Sequence, residues 1–334
     1  MREPPYPTVL KPYGETLVEV ARQRPEIVCL SADLTRQCEV DLFRDEIPDR
    51  FINVGMAEAH MMSMAGALAR EGHIPFAHTF GVFATRRPYD QIINSIAYPN
   101  LPVRIVGFMP GVSSPGGPSH QAIEDVALMR AIPNMTVIDV ADATEIRQAV
   151  PAIVDLPGPV YLRLKRGEIP VIFDDEHEFS LTQAQVLVDG DDVALLANGM
   201  MLSAALRASQ VLHQAGVSAA VVNVPVVKPI DATTVLDVAS RVRAMVTAEN
   251  HTIVGGLGSA VAEVLAEAGS GTRLSRVGLA DTFAEGARSG PWLFRKYGLT
   301  TQNVVDAAWR ALGREGEAPT AEPVPSTEGE YAPV

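Results

Sequence analysis

The sequence predicts an α/β chain built as two three-layer α/β/α domains, and three observations carry that expectation. Over the first ~173 residues, short apolar runs alternate with amphipathic stretches, the pattern of a mostly parallel sheet covered by helices. The rhythm breaks at FDDEHEFSLTQAQVLVDGDD (173–192), where charge and polarity replace it, and a second βα series follows. The total of 334 residues is about twice an average domain. The expected division is 1–185 for the first domain, 190–314 for the second and 315–334 for a tail.

In chain order, the apolar runs at Ile27–Ser31, Phe51–Asn53, Ile74–His78, Val103–Gly107, Thr136–Asp139 and Val160–Leu164 read as strands of the first sheet. Between them, Ala57–Arg70 is rich in Ala, Met and Leu, and ends at Glu71-Gly72, where glycine supplies a left-handed cap. Asp142 or Thr144 is placed to cap a helix over 145–153. The segment 173–192 reads as a linker with an edge hairpin. The second series comprises strands at Val193–Ala197, Ala219–Val224, Ala244–Glu249 and Leu274–Gly278, with helices at 202–215, 233–242 and 257–268. The final EGEAPTAEPVPSTEGEYAPV lacks a hydrophobic period and reads as disordered.

Composition removes several function classes. A hydrophobic content of 47% against 20% charged residues describes a globular chain. The net charge of −13 has the wrong sign for a general nucleic-acid binder. Two cysteines, Cys29 and Cys38, suffice for neither a disulfide framework nor a four-ligand zinc site. MREPPYPTVLKPYGE carries no apolar run of signal-peptide type, and no window reaches ~18 uninterrupted apolar residues. The expectation is a cytoplasmic protein with no membrane and no nucleic-acid partner.

Individually, the motifs have plain structural explanations. HTIVGGLGSAVAEVLAEAG from His251 fits no phosphate-loop pattern and reads as a tight strand-to-helix turn. Glu58, opening the helix in NVGMAEAHMM, would complement the helix dipole by ~0.3–1 kcal/mol. Phe76, Phe80, Phe83 and Tyr89 would be core, and His120, in PGVSSPGGPSH, a solvated loop residue.

Their joint order carries more. NVGMAEAHMMSMAGALA, FAHTFGVFATRRPYDQI, GGPSHQAIEDVALMRAIPNMTV and GPVYLRLKRGEIPVI follow one another between Asn53 and Ile172. This series closely resembles the pyrimidine-binding domain of transketolases. TAENHTIVGGLGSAVAEVL, DTFAEG and KYGLT resemble the transketolase C-terminal domain. The resemblance spans residues 8 to 312.

It implies thiamine diphosphate as cofactor, with Glu58 at N1′ of the aminopyrimidine. A carboxyl group there favours the tautomer whose 4′ nitrogen takes the thiazolium proton. Phe83 would stack on the pyrimidine, and Phe80 would line the same water-excluding wall. His120 falls at the family's active-site histidine, suited to bonding substrate oxygens and moving protons. Arg166 falls where the family holds a substrate phosphate, a task for a guanidinium fork. His78, in AHTF, stands where a small hydroxyl residue is common and is expected to compensate at the substrate.

The chain also departs from the sugar-phosphate pattern. Phe108-Met109 replaces a Thr-His pair, Pro115-Gly116-Gly117 replaces Gly-Glu-Asp-Gly, and Leu10-Lys11 stands where an arginine is associated with phosphate. The family's diphosphate segment, Gly-Asp-Gly followed by a distant Asn, has no counterpart beyond VDGDD around Asp189.

The resemblance therefore implies one subunit of a split transketolase. It would transfer a two-carbon ketol unit from an anionic ketose to an aldehyde acceptor. An N-terminal partner subunit would carry the diphosphate and its Mg2+ or Ca2+, with no metal ligand on this chain. Self-association around a two-fold axis and a heterotetramer follow from the same architecture. The beta subunit of a 2-oxo acid dehydrogenase and a non-catalytic scaffold that kept the fold are the alternatives; GGPSHQAIED and KRGE favour transketolase over the former.

Overall fold

The computed structural model describes residues 1–287 and 289–322. Its strands, in chain order, are β1 (Thr8–Leu10), β2 (Ile27–Ser31), β3 (Phe51–Asn53), β4 (Ile74–Phe80), β5 (Arg104–Phe108), β6 (Thr136–Asp139), β7 (Val160–Leu164) and β8 (Glu168–Pro170). They continue with β9 (Gln185–Val188), β10 (Val193–Ala197), β11 (Ala219–Asn223), β12 (Val226–Lys228), β13 (Ala244–Thr252) and β14 (Arg273–Leu279).

A seven-stranded sheet runs β12-β6-β7-β5-β4-β2-β3, and a five-stranded sheet runs β14-β13-β10-β11-β9. Strands β2 to β7 are parallel, so helices must cover both faces, and the inner strands read as mostly apolar runs. Alternation along the strands divides the core. Phe76, Val106 and Leu162 pack on one face with the helix Pro12–Gln23, while Ala77, Ile105 and Tyr161 pack on the other with the helix Glu58–Arg70. The second sheet divides likewise, with Leu195, Val221 and Val246 on one side and Leu196, Val222 and Met245 on the other.

Several elements differ from the sequence reading, among them the antiparallel pair β1 and β8, which it did not contain. In place of a hairpin in 173–192 there is one strand, β9, lying antiparallel to β11 at the sheet edge. Strand β12, absent from the sequence reading, leaves the second series and adds antiparallel to β6 of the first sheet, pairing Val226 with Ile138 and Lys228 with Val137. Lys228 Nζ then donates to the Arg130 carbonyl at 2.9 Å, and Arg130 donates across to the Gly255 carbonyl at 2.7 Å. The two α/β units are thus joined by backbone pairing as well as side chains.

A buried cation strengthens that junction. Arg163 donates to Asp125 through Nε at 2.8 Å and Nη2 at 3.0 Å, to Asp139 at 2.9 Å, and to the Asn250 carbonyl at 2.9 Å. A desolvated guanidinium with four such acceptors is satisfied, and removing either aspartate would leave uncompensated charge.

The expected tail lies outside the described residues from 323 onward. Its beginning is anchored, because Gln302 Nε2 donates to the Pro319 carbonyl at 3.1 Å and Oε1 accepts from the Ala321 amide at 2.8 Å. Among the described residues, no helix is long and apolar enough to cross a membrane.

Candidate functional site

In open parallel sheets, ligands meet the carboxyl ends of the strands. At that edge of the first sheet four segments converge: the turn after β3 with Glu58, the end of β4 with Phe80 and Phe83, the loop after β5 with His120, and the turn after β7 with Arg166.

Glu58 is the first residue of its helix and is 4% exposed. Its Oε1 accepts from Arg87 Nη1 at 2.6 Å, whereas its Oε2 has no hydrogen bond among the described residues. The Arg87 guanidinium carbon sits 4.2 Å from the centroid of the Phe83 ring. Phe83 stacks on Phe80 with centroids 6.1 Å apart at 21°, and meets His120 edge-on at 5.3 Å and 75°. Glu58, Phe80, Phe83 and His120 therefore form one connected cluster with Arg87 in its middle.

The loop carrying His120 is held from both α/β units. From the first, Arg86 donates to the carbonyls of Pro118 at 3.0 Å and Gln121 at 3.1 Å while pairing with Glu124. From the second, Asn250 accepts from the Val112 amide at 3.0 Å and donates to the Pro110 carbonyl at 3.0 Å. Gln121 donates to the Glu285 carbonyl at 3.1 Å, and the Ala287 amide donates to the Pro115 carbonyl at 3.0 Å. Glycine is required twice here. A Cβ on Gly111, at φ 54°, would lie 2.1 Å from Asn250 Oδ1, and Gly117 holds φ 77° just before the turn that presents His120. His120 Nδ1 shares a hydrogen bond with Ser119 Oγ at 2.9 Å.

Arg166 follows β7 by two residues and is half-buried, with no hydrogen bond or ion pair among the described residues. Glu168 does not hold it: the neighbouring Lys165 Nζ donates to the Glu168 carbonyl at 2.7 Å. Lys11, where the family pattern has an arginine, is committed to Asp41 at 2.6 Å.

His78 is not brought to this cluster, which corrects the expectation that it meets substrate. It shares a face of β4 with Phe80 but lies two residues deeper, about 6–7 Å below the sheet edge. It is fully buried there, its Nε2 accepting from Tyr13 Oη at 2.6 Å and its Nδ1 donating to the Leu30 carbonyl at 2.9 Å. Burial pushes the imidazole down from 6.5 to about 4, so it is neutral in the folded chain. Because the unfolded chain binds the proton more readily, this stability is fully present above pH 6.5 and is lost as pH falls toward 4. Between those limits wild type should lose up to about 3 kcal/mol more than His78→Gln in denaturant unfolding. Parallel pH profiles for the two proteins would show that His78 titrates alike folded and unfolded.

The sequence reading did not single out Arg87, Arg86 or Asn250. For Arg87 a signal was present: it follows Phe83 by four residues, the spacing that puts a side chain over its neighbour on a helical turn. For Asn250, the signal was the polar series Glu249-Asn250-His251 directly after the apolar start of β13, at positions the strand buries.

The donor set suits an aminopyrimidine. A nearly buried carboxylate stands near an aromatic ring at the strand end, with an imidazole at the ring's edge. Fold and site together define a parallel α/β unit carrying a second α/β unit that braces its His120 loop. Residues 6–171 match the transketolase pyrimidine-binding domain and residues 182–304 the transketolase C-terminal domain. The chain belongs to the transketolase family, whose members use thiamine diphosphate.

An uncharacterised transketolase-family protein of Sinorhizobium fredii is 43% identical over 302 residues, covering 90% of this chain and 87% of the relative. A 6-deoxy-6-sulfo-D-fructose transketolase subunit of Clostridium sp. is 43% identical over 304 residues, covering 91% and 94%. A solved split-gene transketolase, described as an inactive beta4 tetramer, aligns with TM-score 0.84 at 43% identity over 91% of this chain and 97% of that one.

Proposed function

We propose that this chain is the pyrimidine-side subunit of a two-subunit transketolase, moving a two-carbon ketol unit from an anionic ketose to an aldehyde. Residues 1–185 would be the pyrimidine-binding domain and 190–314 the C-terminal domain. The observation that carries the proposal is the contact chain from Glu58 through Arg87 and Phe83 to His120 at the carboxyl edge of the first sheet. The relatives described as a transketolase subunit and a split-gene transketolase support the need for an N-terminal partner. That partner would bring the diphosphate site with Mg2+ or Ca2+, giving a heterotetramer with two active sites.

Thiamine diphosphate supplies the carbanion chemistry when bound. This chain's residues do the rest. Glu58 holds a proton at N1′ of the pyrimidine, and its near-complete burial keeps water from competing for that bond. Phe83 offers a face to the ring, while Phe80 backs it and thins the water around the reacting carbons. His120, fixed by a loop bonded from both units, bonds substrate oxygens and moves a proton to or from them. Arg166 takes the distal anion of the ketose, a phosphate or sulfonate; the Clostridium relative's sulfosugar supports the broader anionic class. His78 stays out of the reaction as a core residue beneath Tyr13.

The test is aldehyde release from matched anionic and neutral ketoses by the mixed subunits. Arg166→Ala should raise KM roughly 10–100-fold for the anionic ketose, matching ~1.5–3 kcal/mol for a charge-assisted hydrogen bond, and do much less to the neutral one. His120→Ala should instead lower kcat on both. Equal KM effects of Arg166→Ala on both substrates would remove the anion-site assignment.

A further inference from the structure

We infer that Arg87 is a built-in occupant of the pyrimidine half-site, filling in the free chain the two contacts that the cofactor ring needs. The inference rests on the reading of Glu58 and Phe83 as that half-site.

The geometry is specific to the pair. Arg87 Nη1 donates to Glu58 Oε1 at 2.6 Å, the kind of bond that N1′ of an aminopyrimidine makes to the same carboxyl. Its guanidinium carbon lies 4.2 Å from the Phe83 centroid, at the distance where a flat cation rests on an aromatic face. A guanidinium and an aminopyrimidine share the features used here: both are planar, both carry N–H donors in plane, and both stack. One side chain satisfies both contacts at once, so the aminopyrimidine cannot take Glu58 Oε1 and that face of Phe83 until Arg87 leaves.

Arg87 is also free to leave. Its side chain is 51% exposed while that of Glu58 is 5% exposed, so the cation sits on top of the site and the carboxylate forms its floor. Beyond Glu58 and Phe83, no other hydrogen bond, ion pair or ring contact holds it among the described residues. Its neighbour Arg86 makes a different set of bonds, to Pro118, Gln121 and Glu124, and stays with the loop. The tandem arginines therefore divide two tasks, one bracing the His120 loop and the other covering the half-site. Covering has a plain advantage for a subunit that meets its partner after folding: it leaves neither the buried carboxylate without a cation nor the ring face open to water.

The thermodynamic consequence is a tax on cofactor binding, since the apparent dissociation constant is the intrinsic one divided by the fraction of time Arg87 is away from the site. A part-buried ion pair and a cation–π contact whose cation is half-exposed together amount to about a 5- to 30-fold effect.

The experiment is calorimetric titration of thiamine diphosphate with Mg2+ into the full chain assembled with its N-terminal partner, for wild type, Arg87→Ala, Arg87→Lys and Glu58→Ala. Arg87→Ala should bind the cofactor about 5- to 30-fold more tightly than wild type. Arg87→Lys, which keeps the charge but cannot lie flat on Phe83, should tighten binding by a smaller factor. Unchanged or weaker binding by Arg87→Ala overturns the inference, and weaker binding would make Arg87 a residue that holds Glu58 in the loaded site. Tightening by Arg87→Ala with no change in Arg87→Lys also overturns it, by assigning the effect to charge alone. Glu58→Ala separates the two levels. If it weakens binding while Arg87→Ala does not strengthen it, only the occupant role fails; if it leaves binding unchanged, the half-site reading fails.

Discussion

In the assembled enzyme, Glu58→Gln is expected to keep its fold and lose about 10²–10⁴-fold of turnover at saturating cofactor, the usual worth of a general acid–base group. The size of the loss follows from what the carboxyl does and where it stands. Glu58 is 4% exposed, its Oε1 held by Arg87 in the free chain, so its carboxyl stands in a site that water barely reaches and is open to a ligand once Arg87 moves aside. Glutamine preserves volume and can still hydrogen-bond, yet it cannot exchange the proton that biases the pyrimidine tautomer. As a helix-dipole residue only, Glu58 would contribute ~0.3–1 kcal/mol of stability and nothing to turnover. Steady-state rates with cofactor in excess, alongside thermal melts, distinguish the roles: turnover within a few-fold of wild type with a small drop in melting temperature would leave the dipole role alone.

The second large effect is the dependence of cofactor affinity on the partner. In the proposed function this chain supplies a ring-sized site: a carboxylate, an aromatic face and an imidazole. The diphosphate and its divalent ion account for most of the charge in the cofactor, and the reading places their contacts on the other subunit. Two charge-assisted contacts at about 2 kcal/mol each are already worth about 10³-fold in affinity. Isolated chains should therefore bind thiamine diphosphate weakly and without a magnesium requirement, and mixing the subunits should restore both tightness and metal dependence.

Much of the fold was legible in the sequence because parallel strands buried on both faces appear as uninterrupted apolar runs. Ile27–Ser31, Phe51–Asn53, Thr136–Asp139, Val160–Leu164 and Val193–Ala197 begin and end where those runs do. Helix Leu257–Glu267 follows its glycine turn as read, and Glu249 accepts from the Leu257 and Gly258 amides at 2.7 and 2.9 Å. Strand β12 was not legible: it has three residues, and its partner β6 lies almost ninety positions earlier in the other unit, so no local period announces it. The edge strand β9 was misread as a hairpin because polarity marks exposure but not which strand lies beside it.

The candidate site divides in the same way. Glu58, Phe80, Phe83 and His120 were found from motif order, and the structure brings them together. His78 is expected at the substrate because it stands where a small hydroxyl residue is common in the family, two residues before Phe80. In a strand that spacing keeps a residue on the same face while setting it deeper, and Tyr13 closes over it. The bracing of the His120 loop by Asn250, Gln121 and Ala287 was invisible to the sequence, since it depends on how the second unit docks on the first. The docking gives the second unit a structural task at the site, holding the geometry of the His120 loop through Asn250.

The most direct measurement is calorimetric titration of thiamine diphosphate, with and without Mg2+, into this chain alone and into the chain mixed with its N-terminal partner. The account predicts weak, magnesium-independent binding by the chain alone, and binding at least about 10³-fold tighter and magnesium-dependent by the mixture. Tight magnesium-dependent binding to the isolated chain would contradict it, because the diphosphate site would then lie on this polypeptide.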